Sequence, residues 1–383
     1  MIQNKGLYKI FAVALLITSY TSFAMNSNKM RCIKPNFNCN NDEIYFVKSQ
    51  KLSKSLVEKL NKKFKNKIPL GSKNFREVLL VSSKNFNIYI YDIKTGKEIL
   101  GFYDPFSLYV STDTEQMPTF IFPEEITENN GNFFIAVYVT FEYRGRVSHM
   151  NTLYNIFNDE VKKTDEGKKR TFMHNSCFLH MLPEKKVEKK NYTLECKQKD
   201  DHSEELLIKH KQNSHQTKIA KNKFRTPSIC VSPMEKSRYA LVHHQELPLC
   251  TREHLMLYDI YTGSPVQNKK SRTAIDFFEI DQYVKANHPI LVDAMFSKKD
   301  NFLVITFMNY FIVYDLKQMK IVLQEESSEN ISHIIIPESE KQLGIATDKC
   351  ICIFDNPIVG KSEKKERLRF LQNKGNILGL MNL

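Results

Sequence analysis

Apolar residues along this chain fall in short bursts separated by polar turns. Four of the bursts end alike: residues 87–96 (NIYIYDIKTG), 254–263 (HLMLYDIYTG), 310–319 (YFIVYDLKQM) and 349–359 (KCICIFDNPIV). Each is a strand-like run, then an aromatic residue, then Asp, then a turn. The aromatic and acidic pairs are Tyr91 with Asp92, Tyr258 with Asp259, Tyr314 with Asp315, and Phe354 with Asp355. Tyr154 with Asn155 reads as a degenerate fifth copy. Gly96 and Gly263 follow two of the pairs, where a tight turn calls for positive φ. A further strand-like segment comes next, as in residues 98–102 and 321–324.

A second marker precedes these strands. It is an apolar run ended by Pro or Ser and then charged residues: 120–125 (FIFPEE), 180–185 (HMLPEK), 230–236 (CVSPMEK), 294–300 (AMFSKKD) and 334–340 (IIIPESE), with 70–74 (LGSKN) as a weaker copy. Repeats about every 40–50 residues, each holding four short strands, are the mark of a β-propeller. The clearest unit spans 289–324, with strands expected at 290–296, 302–307, 311–315 and 320–324. The last unit repeats this plan at 331–337, 342–347 and 350–354, and the first at 77–82, 87–92 and 98–102. The middle units are stretched by insertions in 104–225, with third strands near 153–157, 206–211 and 255–259. The expected fold is all-β: a propeller of six four-stranded blades over 69–383. A seventh blade could be assembled from 43–47 and 376–383, which would also close the ring.

The order apolar run, Ser or Pro, charged turn, strand, aromatic residue, Asp resembles that of the WD-repeat propeller family. Tyr or Phe stands where that family uses Trp. The chain has 26 Phe, 17 Tyr and no Trp. Asp348, six residues before Phe354, matches the family's turn Asp, which the resemblance implies braces the blade; Asn85 stands at the matching offset before Tyr91. His288 corresponds to the family's Gly-His histidine, with Asn287 in place of the Gly. The resemblance implies a rigid ring that recognises a protein partner through blade loops, with no catalysis and no cofactor. The chain is expected to act as a monomer.

Composition fits a folded domain: 42% of the 383 residues are hydrophobic and 26% are charged. Lys5 and Lys9, an apolar run over 10–17, and small residues Ser22 and Ala24 predict a signal peptide over 1–24, hence a periplasmic or secreted protein. Losing those two lysines takes the formal charge from +13 to +11. Much of the remaining excess lies in 48–67, within an N-terminal segment over 25–68. There Leu52, Leu56, Leu60 and Phe64 recur every fourth residue, which predicts an amphipathic helix. Its lysines, among them Lys51, Lys54, Lys59, Lys62 and Lys63, could touch an anionic membrane surface. The simpler expectation is that the apolar stripe packs on the propeller. The aromatic and Gly pattern of common RNA modules is missing, so nucleic acid is not an expected partner.

All eight cysteines follow residue 24, an even count that permits disulfides in an exported chain. Cys32 and Cys39 are near enough in sequence to close a small loop. The repeat puts Cys177 and Cys230 on inner strands, Cys196 on a second strand and Cys250 before a third, making Cys177 with Cys196 and Cys230 with Cys250 candidate bridges. Cys350 and Cys352 share one face of a strand and are expected to stay reduced.

Motifs for catalysis are missing. There is no G-x-S-x-G, P-loop, H-E-x-x-H or G-x-G-x-x-G. His174, Cys177 and His180 have metal-like spacing, but odd separations on a strand point to opposite faces. Glu124, Glu125, Asp293 and Glu338 could converge on a propeller axis, which keeps an exported hydrolase or lyase as the competing expectation.

Overall fold

The computed structural model describes residues 30–35, 42–63, 75–102, 118–129, 132–143, 146–156, 161–163, 186–198, 204–211, 216–234, 237–246, 253–268, 271–287 and 290–358. Residues 1–29, with the expected signal peptide, and 376–383 lie outside them. The described residues are mostly strands, arranged in five antiparallel sheets with two short helices. None of the described helices is long and apolar enough to cross a membrane.

Strand β1 (Met30–Ile33) comes first and joins its sheet only at the end of the chain. The first sheet is β2 (Ile44–Ser53), β3 (Phe75–Ser83), β4 (Ile88–Asp92) and β5 (Glu98–Phe102), in that order across the sheet. Helix α1 (Lys54–Lys63) connects β2 to β3. The second sheet is β6 (Pro118–Asn129), β7 (Asn132–Tyr143), β8 (Arg146–Asn155) and β9 (Val161–Lys163). A six-stranded third sheet follows: β10 (Lys186–Glu188), β11 (Tyr192–Gln198), β12 (Glu204–His210), β13 (Gln216–Val231), β14 (Tyr239–Glu246) and β15 (Glu253–Asp259). Helix α2 (Gln282–Asn287) precedes the fourth sheet: β16 (Leu291–Phe296), β17 (Phe302–Phe307), β18 (Tyr310–Asp315) and β19 (Lys320–Glu326). The fifth is β20 (Ile331–Ile335), β21 (Gln342–Thr347) and β22 (Ile351–Asp355), with β1 as its fourth strand beside β22.

The strands form where alternation and β-branched residues put them. In β17, Phe302 and Val304 face the fifth sheet while Leu303 and Ile305 face the third. In β3, Leu79 and Val81 face the fifth sheet while Val78 and Leu80 face the second. Both faces of these strands are therefore buried, which is why they read as continuous apolar runs rather than strict alternation. At about 25 cal/mol per Å² of apolar surface removed from water, such double-faced burial is the main stabilising term.

Six units are expected from the repeat, and the described residues hold five sheets. Two expected units are joined through β13. Residues 216–219 of this long strand pair with β12, and residues 228–231 pair with β14. The register breaks between Arg225 and Ser228, at Pro227, which has no N–H to give to a ladder. The two halves then bury one apolar core between them: Tyr192, Leu194, Leu206 and Ile208 against Ile229, Ala240, Val242 and Tyr258.

The segment 48–67 is not one helix. Residues 48–53 continue β2, where they pair with β3 from Lys48 opposite Leu80 to Ser53 opposite Phe75. The helix begins at Lys54, where the Ser53 hydroxyl accepts the Leu56 N–H at 3.1 Å and so caps it. The first sheet accordingly starts at Ile44, within the segment 25–68 set apart on sequence. Of the residues 43–47 offered for a seventh blade, 44–47 belong to this strand of the first sheet, with Ile44 opposite Ser83.

First strands of four sheets lie beside one another: β2 packs beside β6 and β20, and β20 beside β16. β16 also lies beside β13, the fourth strand of the third sheet. Polar bonds cross the same seams. Gln50 on β2 exchanges two bonds with the backbone of Ile126 on β6, at 3.0 and 2.7 Å. Glu77 on β3 accepts from the Ser339 N–H at 2.6 Å and its hydroxyl at 2.7 Å, beyond β20.

Candidate functional site

The aspartates of the repeat brace hairpin turns. Asp92 Oδ2 accepts the Thr95 N–H at 3.0 Å, and the carboxylate also holds the Thr95 hydroxyl and the Arg76 guanidinium. Asp259 Oδ1 accepts the N–H groups of Tyr261 and Thr262, at 2.9 and 3.3 Å. Asp315 Oδ1 accepts those of Lys317 and Gln318, both at 2.9 Å. These are local side-chain-to-backbone bonds of the kind short Asp side chains favour in turns. Gly96 and Gly263 then take φ of 70° and 67°, and Met319 takes the corresponding place at 52°.

In the last unit this work has moved by one residue. Asp355 is exposed, while Asn356 is buried, accepts the Ile358 N–H at 2.9 Å and donates to the Glu340 carbonyl at 2.7 Å. The turn before β22 is held by Thr347, whose Oγ1 accepts the Cys350 N–H at 3.2 Å. Asp348 contributes its backbone carbonyl, which accepts the Ile44 N–H at 2.7 Å and ties the fifth sheet to the first. Burial and then the neighbouring Glu43 push the Asp348 carboxyl above its ordinary range.

The aromatic partners lie between sheets. Tyr91 packs in the core shared by the first and fifth sheets, and Phe354 stacks on Phe311 of the fourth with ring centroids 5.5 Å apart. Tyr314 meets Phe277 edge to face at 5.0 Å. Tyr258 is buried against β11 and β12.

Helix α1 sets its apolar stripe inward. Val57 and Leu60 are buried with Leu52 against the first and second sheets. Lys54, Lys59 and Lys62 are exposed, as is Lys51 on β2. Lys59 pairs with Glu128 of the second sheet at 2.7 Å, and Lys54 with Glu58 at 3.6 Å. Lys63 ends the helix.

The acids considered for an axial site are spread over separate sheets. Glu124 and Glu125 lie on β6, Asp293 is buried on β16, and Glu338 is exposed after β20. His243 on β14 approaches Glu253 at 3.2 Å, and His254 Nδ1 lies 2.6 Å from Asp276 Oδ2. His174, Cys177, His180, Cys39, Cys250 and His288 lie outside the described residues. Cys196 stands on β11 opposite Leu206, and Cys230 is buried, its thiol donating to the Ala294 carbonyl at 3.1 Å. No disulfide joins described cysteines.

A different group of cysteines comes together instead. Register places Cys32 of β1 directly opposite Cys352 of β22, and Cys350 lies two residues before Cys352 on the same face. The three sulfurs lie within 4.8 Å of one another. The Cys350 and Cys352 sulfurs are 3.8 Å apart. Cys32 is exposed, and the other two are buried. Among the described residues, these are the three His, Cys, Asp or Glu side chains whose ligand atoms converge. Thiols of Cys350 and Cys352 donating to it hold Cys32 well below the ordinary thiol range, with Lys34 helping and burial opposing. Their own pKa values rise in turn, through the same bonds and through burial. Cys32 was read on sequence as a partner for Cys39. The signal that could have found this group was the missing outer strand of the last unit, which left Cys350 and Cys352 needing a neighbour.

A scan against family profiles matches no known family, and a search of curated proteins finds no relative.

Proposed function

We propose that the chain is an exported six-unit β-propeller, related in plan to the WD-repeat proteins, that works as a non-catalytic scaffold for a protein partner. The observation that carries this reading is the order of the apolar cores. A six-unit ring has six interfaces. Counting the third sheet as two units, cores lie between the first and second units, the third and fourth, the fourth and fifth, the fifth and sixth, and the sixth and first. Among the described residues, no apolar core joins the second and third units. The seam between the sixth and first units joins the two ends of the sequence, and β1 reinforces it by completing the last sheet. That arrangement supports a ring because an open arc has no reason to join its ends.

In this reading the first strands surround the axis, and the turns and insertions of 104–225 form the recognition surface. Rigid sheets carrying variable loops are a common way to hold such a surface. The lysines of α1 serve solubility and packing, since its apolar side is already covered. The test is quantitative cross-linking of the full chain in its native source, beside variants shortened within 104–117 or 164–185 that keep the wild-type unfolding transition. One defined protein lost from a shortened variant and retained by wild type is the expected result. An unchanged cross-link profile in both variants, with turnover of saccharide or peptide substrates by wild type, would overturn the reading.

A further inference from the structure

We propose that Cys32, Cys350 and Cys352 form a binding site for a thiophilic d10 cation, zinc or copper(I), that fastens the N-terminal strand to the last sheet. This inference stands apart from the scaffold reading, because it rests on the pairing of β1 with β22 and on sulfur positions.

The geometry suits an ion better than a disulfide. Tetrahedral zinc bonds of about 2.3 Å put neighbouring thiolates roughly 3.8 Å apart. Cys350, just before β22, and Cys352 on it stand at 3.8 Å, two residues apart, where a bridge between them would need the backbone to buckle. A disulfide to Cys32 would use two sulfurs and strand the third, whereas an ion uses all three. The ligand set contains sulfur alone, which selects zinc or copper(I) over magnesium and calcium. The exposed Cys32 side leaves room for water as a fourth ligand, while Cys350 and Cys352 bury the other side.

The surroundings support the ligands. Thr347 Oγ1 lies 3.6 Å from the Cys350 sulfur, and its hydroxyl donates to Glu329 Oε2 at 2.8 Å. Such partners fix the orientation of a metal ligand. Lys34 lies near Cys32 and offsets the negative charge that three thiolates leave on a divalent ion. Binding is an exchange of protons for metal. Each sulfur still protonated releases its proton to water as its bond to the ion forms, and no group is oxidised or reduced. Because Cys32 and Cys352 are separated by nearly the whole chain, the ion would close a long loop, where a cross-link restricts the unfolded chain most.

The experiment uses the full chain, reduced, stripped with a chelator and desalted. Zinc(II) and, under anaerobic conditions, copper(I) are added separately, and bound metal is counted after a second desalting. The expected result is one ion per chain for at least one metal, falling at least tenfold in Cys32→Ser. Alkylation mapped by mass spectrometry is the second measurement and needs no variant. Metal should protect Cys32, Cys350 and Cys352 together, and chelator should restore their labelling. The proposal is overturned if reduced wild type retains neither metal, if Cys32→Ser binds as well as wild type, or if the three thiols label equally with and without metal. It is also overturned if protein isolated without reductant carries a Cys32 disulfide to Cys350 or Cys352 that forms in preference to metal binding.

Discussion

Ile33 is the buried apolar residue of the N-terminal strand, and Ile33→Ala tests whether β1 is a clasp. Its side chain is 3% exposed and packs with Ile44, Tyr89, Tyr91, Ile93, Ile351 and Ile353 between the first and fifth sheets. The substitution removes three carbons. At about 0.8 kcal/mol for each, transfer alone gives roughly 2.4 kcal/mol. The residual cavity adds to this, and Ile→Ala changes in cores cost about 2–5 kcal/mol. How much of that appears in global unfolding depends on what β1 does. If β1 detaches by itself, only the small free energy of fraying a four-residue strand is lost, and the main transition stays put. If β1 holds the last sheet to the first, the whole cost appears in the main transition. The assay is urea unfolding followed by far-UV circular dichroism, with hydrogen exchange on β22 as a local probe. The account expects a midpoint shift worth at least 2 kcal/mol at an unchanged slope, with β22 amides exchanging faster. A shift below about 0.5 kcal/mol with β22 protection intact would refute the clasp.

Four further outcomes are expected. Asp92→Ala should cost about 3–5 kcal/mol in the same assay, because the Arg76 guanidinium, with a side chain 8% exposed, loses the carboxylate it is paired with; Asp355→Ala, at an exposed position, should change stability by less than about 0.5 kcal/mol. Gly344→Ala should destabilise by about 1–3 kcal/mol, since an added Cβ would stand 2.5 Å from Ile353 Cδ1 and 3.0 Å from the Cys352 carbonyl oxygen, and Ile353 is 1% exposed with nowhere to move. Replacing Lys54 and Lys62 together with Gln should leave retention on acidic liposomes at physiological salt unchanged, and a large loss of retention would make α1 a membrane-contact element instead.

Local order was the legible part of this chain. The unit at 289–324 could be drawn strand by strand because β17 and β18 bury both faces and the turns after β16 and β18 carry Ser297, Asp300 and Asp315. The β2 strand was hidden because Leu52, Leu56 and Leu60 satisfy helical spacing whether or not the helix starts at residue 48. Only the cap at Ser53 separates strand from helix, and pairing with β3 outweighs helical preference before it. The joined third sheet was hidden for a related reason. Pro227 has no N–H for a ladder, yet here it sits inside β13 at a break in its register rather than ending the strand. Partners distant in sequence were the least legible. Cys32 and Cys352 carry no local sign of each other, and their meeting depends on which strand fills the outer place of the last sheet. The shift from Asp355 to Asn356 is of the same kind, since either residue can cap a turn and the register of β22 decides between them.

The central claim is a ring of six units whose ends are joined by β1. A crystal structure of the full chain tests it most directly, because it would show whether the second and third units meet. The account predicts that β6–β9 and β10–β12 pack face to face through an apolar core, with six first strands around one axis and β1 paired to β22. Solvent between those two groups of strands, or a different strand beside β22, would contradict it.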